Sequence, residues 1–375
     1  MMKVWSSYAV AVGALPVAEM WRRRSKQQTS RFDTPLDRRH TLTVKHGLAK
    51  LFFGPEADVN PPPLKLWLAD MELPTAEPIQ RAISARACHP AYGYTYQPDA
   101  IWQLVSAWLS SRHGWQIEPS CFVFSPCVVT SFCGLIRALT QPSEGVLVMT
   151  PLYAPLQEAV RRTGRQLVRH ELRLDARTGR LEMDVEERLE RLLPGVRLLL
   201  LCSPHNPGGV VWTRAELRAL AEACARHDVT LVADEIWQDW ALFGHAHVPA
   251  TVAAGGTACR VITMGAPTKT WNLAGLHCSY VAFAADEAGA AVRQRYLAEM
   301  EPAYLTFGGT FATIAMLAAY AEGLPWLIEA KAYVEANVRY VESALRERVP
   351  EVVVLRPQAT YLVLLDCRLL SLSSE

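Results

Sequence analysis

One lysine, Lys269, stands in the otherwise uncharged run "GAPTKTWNLAGLH" at 265–277. A lone lysine beside a turn is ordinarily a surface charge, so any chemistry has to come from its company. Asp234 ends "VTLVAD". Asn206 lies in "SPHNPGG", just after "LLLLCS". Tyr153 lies in "TPLY", just after "GVLVMT". Cys127, Val128 and Val129 open a helix after "FVFS". Singly, each has a structural reading: an Asp at a strand end caps a helix, Asn-Pro makes a turn, and a Tyr after a Pro packs. Together they describe one pocket holding an amine, a carboxylate, an amide and a ring. Its fifth part is a helix N-terminus, whose N–H groups attract an anion.

The combined chemistry suits pyridoxal phosphate. A lysine amine forms a Schiff base with an aldehyde. A carboxylate at the pyridinium nitrogen keeps it protonated, so that the ring accepts carbanion electrons. An aromatic face stacks on the pyridine, and backbone N–H groups at a helix start hold the phosphate.

These residues need a scaffold that brings strand ends together, and the chain between them supplies the pattern. "CFVFS" (121–125), "GVLVMT" (145–150), "VRLLLLCS" (196–203) and "VTLVADE" (229–235) read as strands. Between them "VVTSFCGLIRAL" (128–139), "YAPLQEAVRRTG" (153–164) and "RAELRALAEACARHD" (214–228, after a Thr213 cap) read as helices. Near-continuous apolar strands alternating with helices predict a mostly parallel sheet covered on both faces. In such sheets ligands gather outside the C-terminal strand ends, where Asp234, Asn206, Tyr153 and the helix start at Cys127 fall. Further on, "YVEANVRYVESALRERV" (333–349) is a long amphipathic helix, and "EVVVL" and "TYLVLLD" follow as strands. That tail predicts a smaller α+β subdomain.

The 375 residues carry a net charge of +1, with 38 Lys+Arg against 37 Asp+Glu, which gives no global pull toward nucleic acid or an anionic membrane. The cluster "WRRRSKQQ" (21–28) reads as a solvated tail. Nine cysteines without a C-x-x-C pair or zinc-like spacing point away from a metal site and toward a reducing, cytoplasmic setting. No apolar run is long enough for a membrane helix. Residues 1–30 read as a disordered leader, and the proline-marked stretch "VNPPPLKLWLADMELP" (59–74) as the entry to structure.

The motifs resemble those of class I/II, fold-type I, pyridoxal-phosphate-dependent aminotransferases, and within them the MalY/PatB-type cystathionine β-lyase (C–S lyase) branch. The pieces are "FDTPLDRR" (32–39), "WLADMELPT" (67–75), "YGYT" (92–95), "RHGW" (112–115), "TPLYAP" (150–155), "CSPHNPGGVVWT" (202–213), "HDVTLVADEI" (227–236) and "APTKTWNLAGL" (266–276). They cover roughly residues 30–366 in order. The resemblance implies a large domain with a seven-stranded-type, mostly parallel sheet at 67–305. An N-terminal segment at 31–66 would join a smaller α+β domain at 306–375. Lys269 would be the Schiff-base lysine that moves the Cα proton. Asp234 would pair with the pyridinium nitrogen, Asn206 would donate to the ring 3-oxygen, and Tyr153 would stack on the ring. Val128 and Val129 would hold the phosphate. Tyr94 and Tyr92 would reach the pocket of a neighbouring subunit, which implies a homodimer. Trp67, Ala69 and Asp70 would line or support the substrate entrance, with packing as their other reading.

Some positions depart from the pattern. Cys127 replaces a small residue, often Gly, and its Cβ is tolerable only where φ stays out of the left-handed region. Trp237 replaces a Tyr or His and donates only through its indole N–H. Thr268 replaces a Ser. The family's carboxylate-clamping arginine has no match before Glu375, and Arg368 follows a different motif. The small domain is therefore expected to be incomplete and catalysis weakened. The favoured activity is β-elimination from L-cystathionine or a related L-cysteine S-conjugate, giving pyruvate, ammonia and a thiol. The alternatives are an aminotransferase of L-amino acids and a catalytically weak cofactor-binding regulator.

Overall fold

The computed structural model describes residues 30–38, 40–54, 64–175 and 177–370. The expected leader and its basic cluster lie outside the described residues. The chain forms two compact units, one holding the described residues up to Pro74 with 367–370, the other spanning Thr75–Asp366.

The second unit is built on seven strands: β1 (Phe122–Ser125), β2 (Gly145–Thr150), β3 (Gln166–Glu171), β4 (Val196–Cys202), β5 (Thr230–Asp234), β6 (Val261–Gly265) and β7 (Ser279–Ala282). Their order across the sheet is β1-β7-β6-β5-β4-β2-β3. Pairings from β6 through β3 are parallel. Strand β7 is antiparallel to both neighbours, so β1 runs in the same direction as β6. All the strands but β7 therefore end at the same edge; β5 ends in Asp234 itself, and β1, β2, β4 and β6 end a few residues before Cys127, Tyr153, Asn206 and Lys269.

The leucine run of β4 shows why its sequence is apolar throughout. Leu198 and Leu200 enter one core with Phe132, Ile136 and Tyr296. Leu199 and Leu201 enter the other with Leu217, Leu220 and Cys224. The side-chain period of two sends alternate residues to opposite faces, and both faces are covered. All four leucines are fully buried, each contributing about 1.5–3 kcal/mol relative to exposure.

The helices Val128–Leu139 and Arg214–Arg226 form where expected. The second begins at a capping box, with Thr213 accepting from the Glu216 N–H and the Glu216 carboxylate accepting from the Thr213 N–H. The helix expected at 333–349 is the later part of Leu324–Arg348, which starts earlier because Pro325 sits in its first turn, where a missing N–H costs nothing. A short antiparallel pair, Val353–Leu355 with Leu364–Asp366, follows it. In the first unit Arg38 bridges Asp70 and, at 2.9 Å, Glu72. Lys45 sits 2.9 Å from Glu72 and donates to the Asp70 carbonyl at 2.7 Å.

Candidate active site

Asp234 is the last residue of β5 and sits beside Cys202, its register partner on β4. It is buried, and its Oδ1 accepts the Ile236 N–H at 3.2 Å. Burial raises its carboxyl to about 7; the Ile236 bond and the Lys269 ammonium act against this, while Glu235 adds to it. This is a carboxylate short of positive partners, as expected of one that awaits a cation. A protonated ring nitrogen meets that need, so the residue fits the cofactor that the motifs imply.

Lys269 lies on Pro267–Thr270, a single turn that follows β6. Its Nζ stands 5.5 Å from the centre of the Trp237 ring. Trp237 is fully buried and meets Tyr361 edge-on at 4.7 Å. Its ring thus presents a face to the ammonium, a cation–π contact. Between β5 and β6, then, the fold brings together the amine, the carboxylate and an aromatic wall.

Cys127 precedes the helix Val128–Leu139 with φ −160° and ψ 160°, an extended conformation open to any residue, so the Cβ in place of glycine is accommodated. Its thiol lies 3.1 Å from the Thr130 hydroxyl. Val128 is buried in the core and Val129 is half-buried against it, which leaves their backbone N–H groups as the polar feature of this helix start. Tyr153 precedes the helix Ala154–Arg162 and is 46% exposed. Its phenol is raised by burial and then by Cys127 and Asp234, which sets the ring near both. Asn206 is half-buried, and its N–H donates to the Cys202 thiol at 3.4 Å. The neighbouring His205 is wholly buried, and burial pushes its imidazole down to about 4, so it is neutral at physiological pH.

The remaining expected residues are placed differently. Tyr92 donates its hydroxyl to the Ala87 carbonyl at 2.8 Å, and Tyr94 projects fully into solvent. Asp70 lies in the first unit, where Arg38 engages it. Trp67 donates to the Lys45 carbonyl at 3.3 Å.

Sequence reading passed over a buried polar group under Lys269. Asp239 accepts from Trp108 Nε1 and His113 Nε2 on Oδ1, both at 2.9 Å, and from the Thr270 hydroxyl on Oδ2 at 2.8 Å. The available signal was a charged residue inside the apolar, tryptophan-flanked run "WQDWALF" (237–243), since such a carboxylate must be buried with partners.

Comparison with known proteins agrees with this geometry. The chain is 35% identical to cystathionine β-lyase PatB of Bacillus subtilis over 336 residues, 89% of this chain and 84% of PatB. Among solved structures it is similar to cystalysin from Treponema denticola, which contains a pyridoxal 5'-phosphate cofactor. The TM-score is 0.83 at 26% identity, covering 92% of this chain and 85% of that one. It is also similar to the pyridoxal-phosphate-bound C–S lyase of Staphylococcus hominis, with a TM-score of 0.81 at 25% identity, covering 90% and 83%. The aminotransferase class I and II family model matches residues 69–374, and with the fold-type I sheet carrying Lys269 and Asp234 at its strand ends, the chain belongs to that family.

Proposed function

We propose that this protein is a pyridoxal-phosphate-dependent carbon–sulfur β-lyase that acts on L-cystathionine or a related L-cysteine S-conjugate. The observation that carries the reading is the pairing of Lys269 with a buried, cation-seeking Asp234 at adjacent strand ends. The likeness to PatB and to two C–S lyases selects the reaction.

Bound pyridoxal phosphate supplies an aldehyde for an amine and a ring that takes up the electrons left when a Cα proton departs. Asp234 holds the proton on the ring nitrogen. Asn206 orients the ring 3-oxygen, and Tyr153 and Trp237 bound the ring's space. The N–H groups of Val128 and Val129 bind phosphate at the head of their helix. The Lys269 amine removes the Cα proton and the thiol leaves from Cβ. Water then completes the conversion of the remaining fragment to pyruvate and ammonia.

A homodimer is part of this reading. Tyr92, Tyr94 and Tyr96 are 58%, 110% and 73% exposed in the irregular stretch between two helices, and Tyr304 and Phe307 are exposed too. Aromatic exposure on this scale suits a partner surface. Cytoplasmic residence is supported by nine cysteines, all free.

The test is purified protein with L-cystathionine, with and without an α-keto acid. Pyruvate and ammonia without the keto acid support the lyase. Turnover only in its presence replaces it with a transaminase.

A further inference from the structure

We propose that Asp239 is a positioning residue for Lys269, acting through the hydroxyl of Thr270; this rests on Lys269 being the cofactor-bearing lysine. The lysine sits on one helical turn of four residues, Pro267–Thr270. A turn that short has almost no rigidity of its own, because nucleation costs more than one or two backbone bonds return. Its stiffness must come from outside.

Two consecutive residues supply it. Asp239 accepts the Thr270 hydroxyl at 2.8 Å, and Trp240 donates its indole N–H to the Lys269 carbonyl at 2.7 Å. Both belong to one turn, Gln238–Trp240, which follows the strand that ends in Asp234. The turn that follows the strand carrying the carboxylate of the site thus grips the element that carries its amine.

Asp239 itself is held hard. It is 2% exposed, and its other oxygen takes the donors of Trp108 and His113. Burial pushes its carboxyl up, but the bonds from His113, Thr270 and Trp108 outweigh that and hold it below the ordinary range, so it is an anion at neutral pH. Trp108, Trp271 and Tyr320 meet edge to face, with centroids 5.1–5.9 Å apart, and close the floor. A buried carboxylate whose two oxygens are both taken up by fixed donors specifies one geometry.

Substitution of Asp239 itself would orphan three buried donors and risks unfolding, so the test is Thr270→Val, which exchanges only the hydroxyl for a methyl group of similar size. Small misplacement of a reacting amine is costly, and the expected result is a fall in kcat of about tenfold with KM within about twofold. The pH midpoint of the absorption band of lysine-bound cofactor should move by roughly half a unit or more, as the amine's surroundings change. Thr270→Ser should restore both, while both variants melt together. Wild-type kcat and midpoint in T270V, or defects that T270S shares in step with a lower melting temperature, overturn the proposal. Mass mapping of the borohydride-reduced adduct in the wild type is a separate control. An adduct at a lysine other than Lys269 would defeat the parent reading, not the positioning one.

Discussion

Asp234→Asn should make the cofactor-free protein more stable at alkaline pH while removing most of its turnover. Burial lifts this carboxyl from its ordinary 3.8 to about 7. A raised folded-state value means that the native protein holds a proton that the unfolded chain has released. The associated stability is fully present below 3.8 and is lost as pH rises through 7. A rise of about three units at about 1.4 kcal/mol each gives a total of about 4 kcal/mol, of which roughly 3 kcal/mol is lost between pH 5 and 8. Asparagine does not titrate, so its profile lacks this slope. The assay is urea denaturation of both proteins, freed of cofactor by hydroxylamine dialysis, at pH 5 and pH 8. Relative to wild type, D234N should gain about 3 kcal/mol on going from the lower to the higher pH. Loaded with cofactor, the same variant should turn over poorly, since an amide cannot hold the ring-nitrogen proton by charge. A stability difference that is the same at both pH values would refute the claim that burial leaves this carboxylate uncompensated.

Lys269→Ala should abolish the borohydride-reducible attachment of cofactor, read by mass spectrometry of the reduced protein; an adduct at another lysine would reassign the site. Thr213→Ala should cost about 1 kcal/mol by removing one half of the capping box, measured as a lower urea midpoint with unchanged slope. Gly265→Ala places a Cβ 2.4 Å from the Tyr280 ring at the end of β6, and overpacking there should cost about 1–3 kcal/mol and lower the melting temperature. An unshifted melt would mean that Tyr280 moves freely, against its full burial and its 3.1 Å bond from Gln238.

Much of this molecule is legible in the chain itself, wherever the signal is local. Strands β2, β4 and β5 and the helices at 128–139 and 214–226 announce themselves by apolar runs and by spacing, because a strand buried on both faces has to be apolar throughout. The Thr213 cap is a signature four residues long, Thr213 to Glu216. Asp234, Asn206 and Tyr153 could be assigned to one pocket because parallel strands with helical crossovers must end on a common edge. Strand β7 has only four residues. Its reversed direction is a matter of pairing, which no local pattern encodes.

The network under Lys269 belongs to the tertiary structure for the same reason. Trp108, His113, Asp239 and Thr270 are separated by up to 162 positions in the chain, and nothing in their immediate neighbours relates them. The same holds for Arg38 and Asp70, an ion pair between residues 32 positions apart. Residue types and spacing determined which chemistry this protein can hold. Only the packing decided which charges are buried, what satisfies them, and how firmly the single turn bearing Lys269 is held, because burial and long-range hydrogen bonding are properties of the assembled fold.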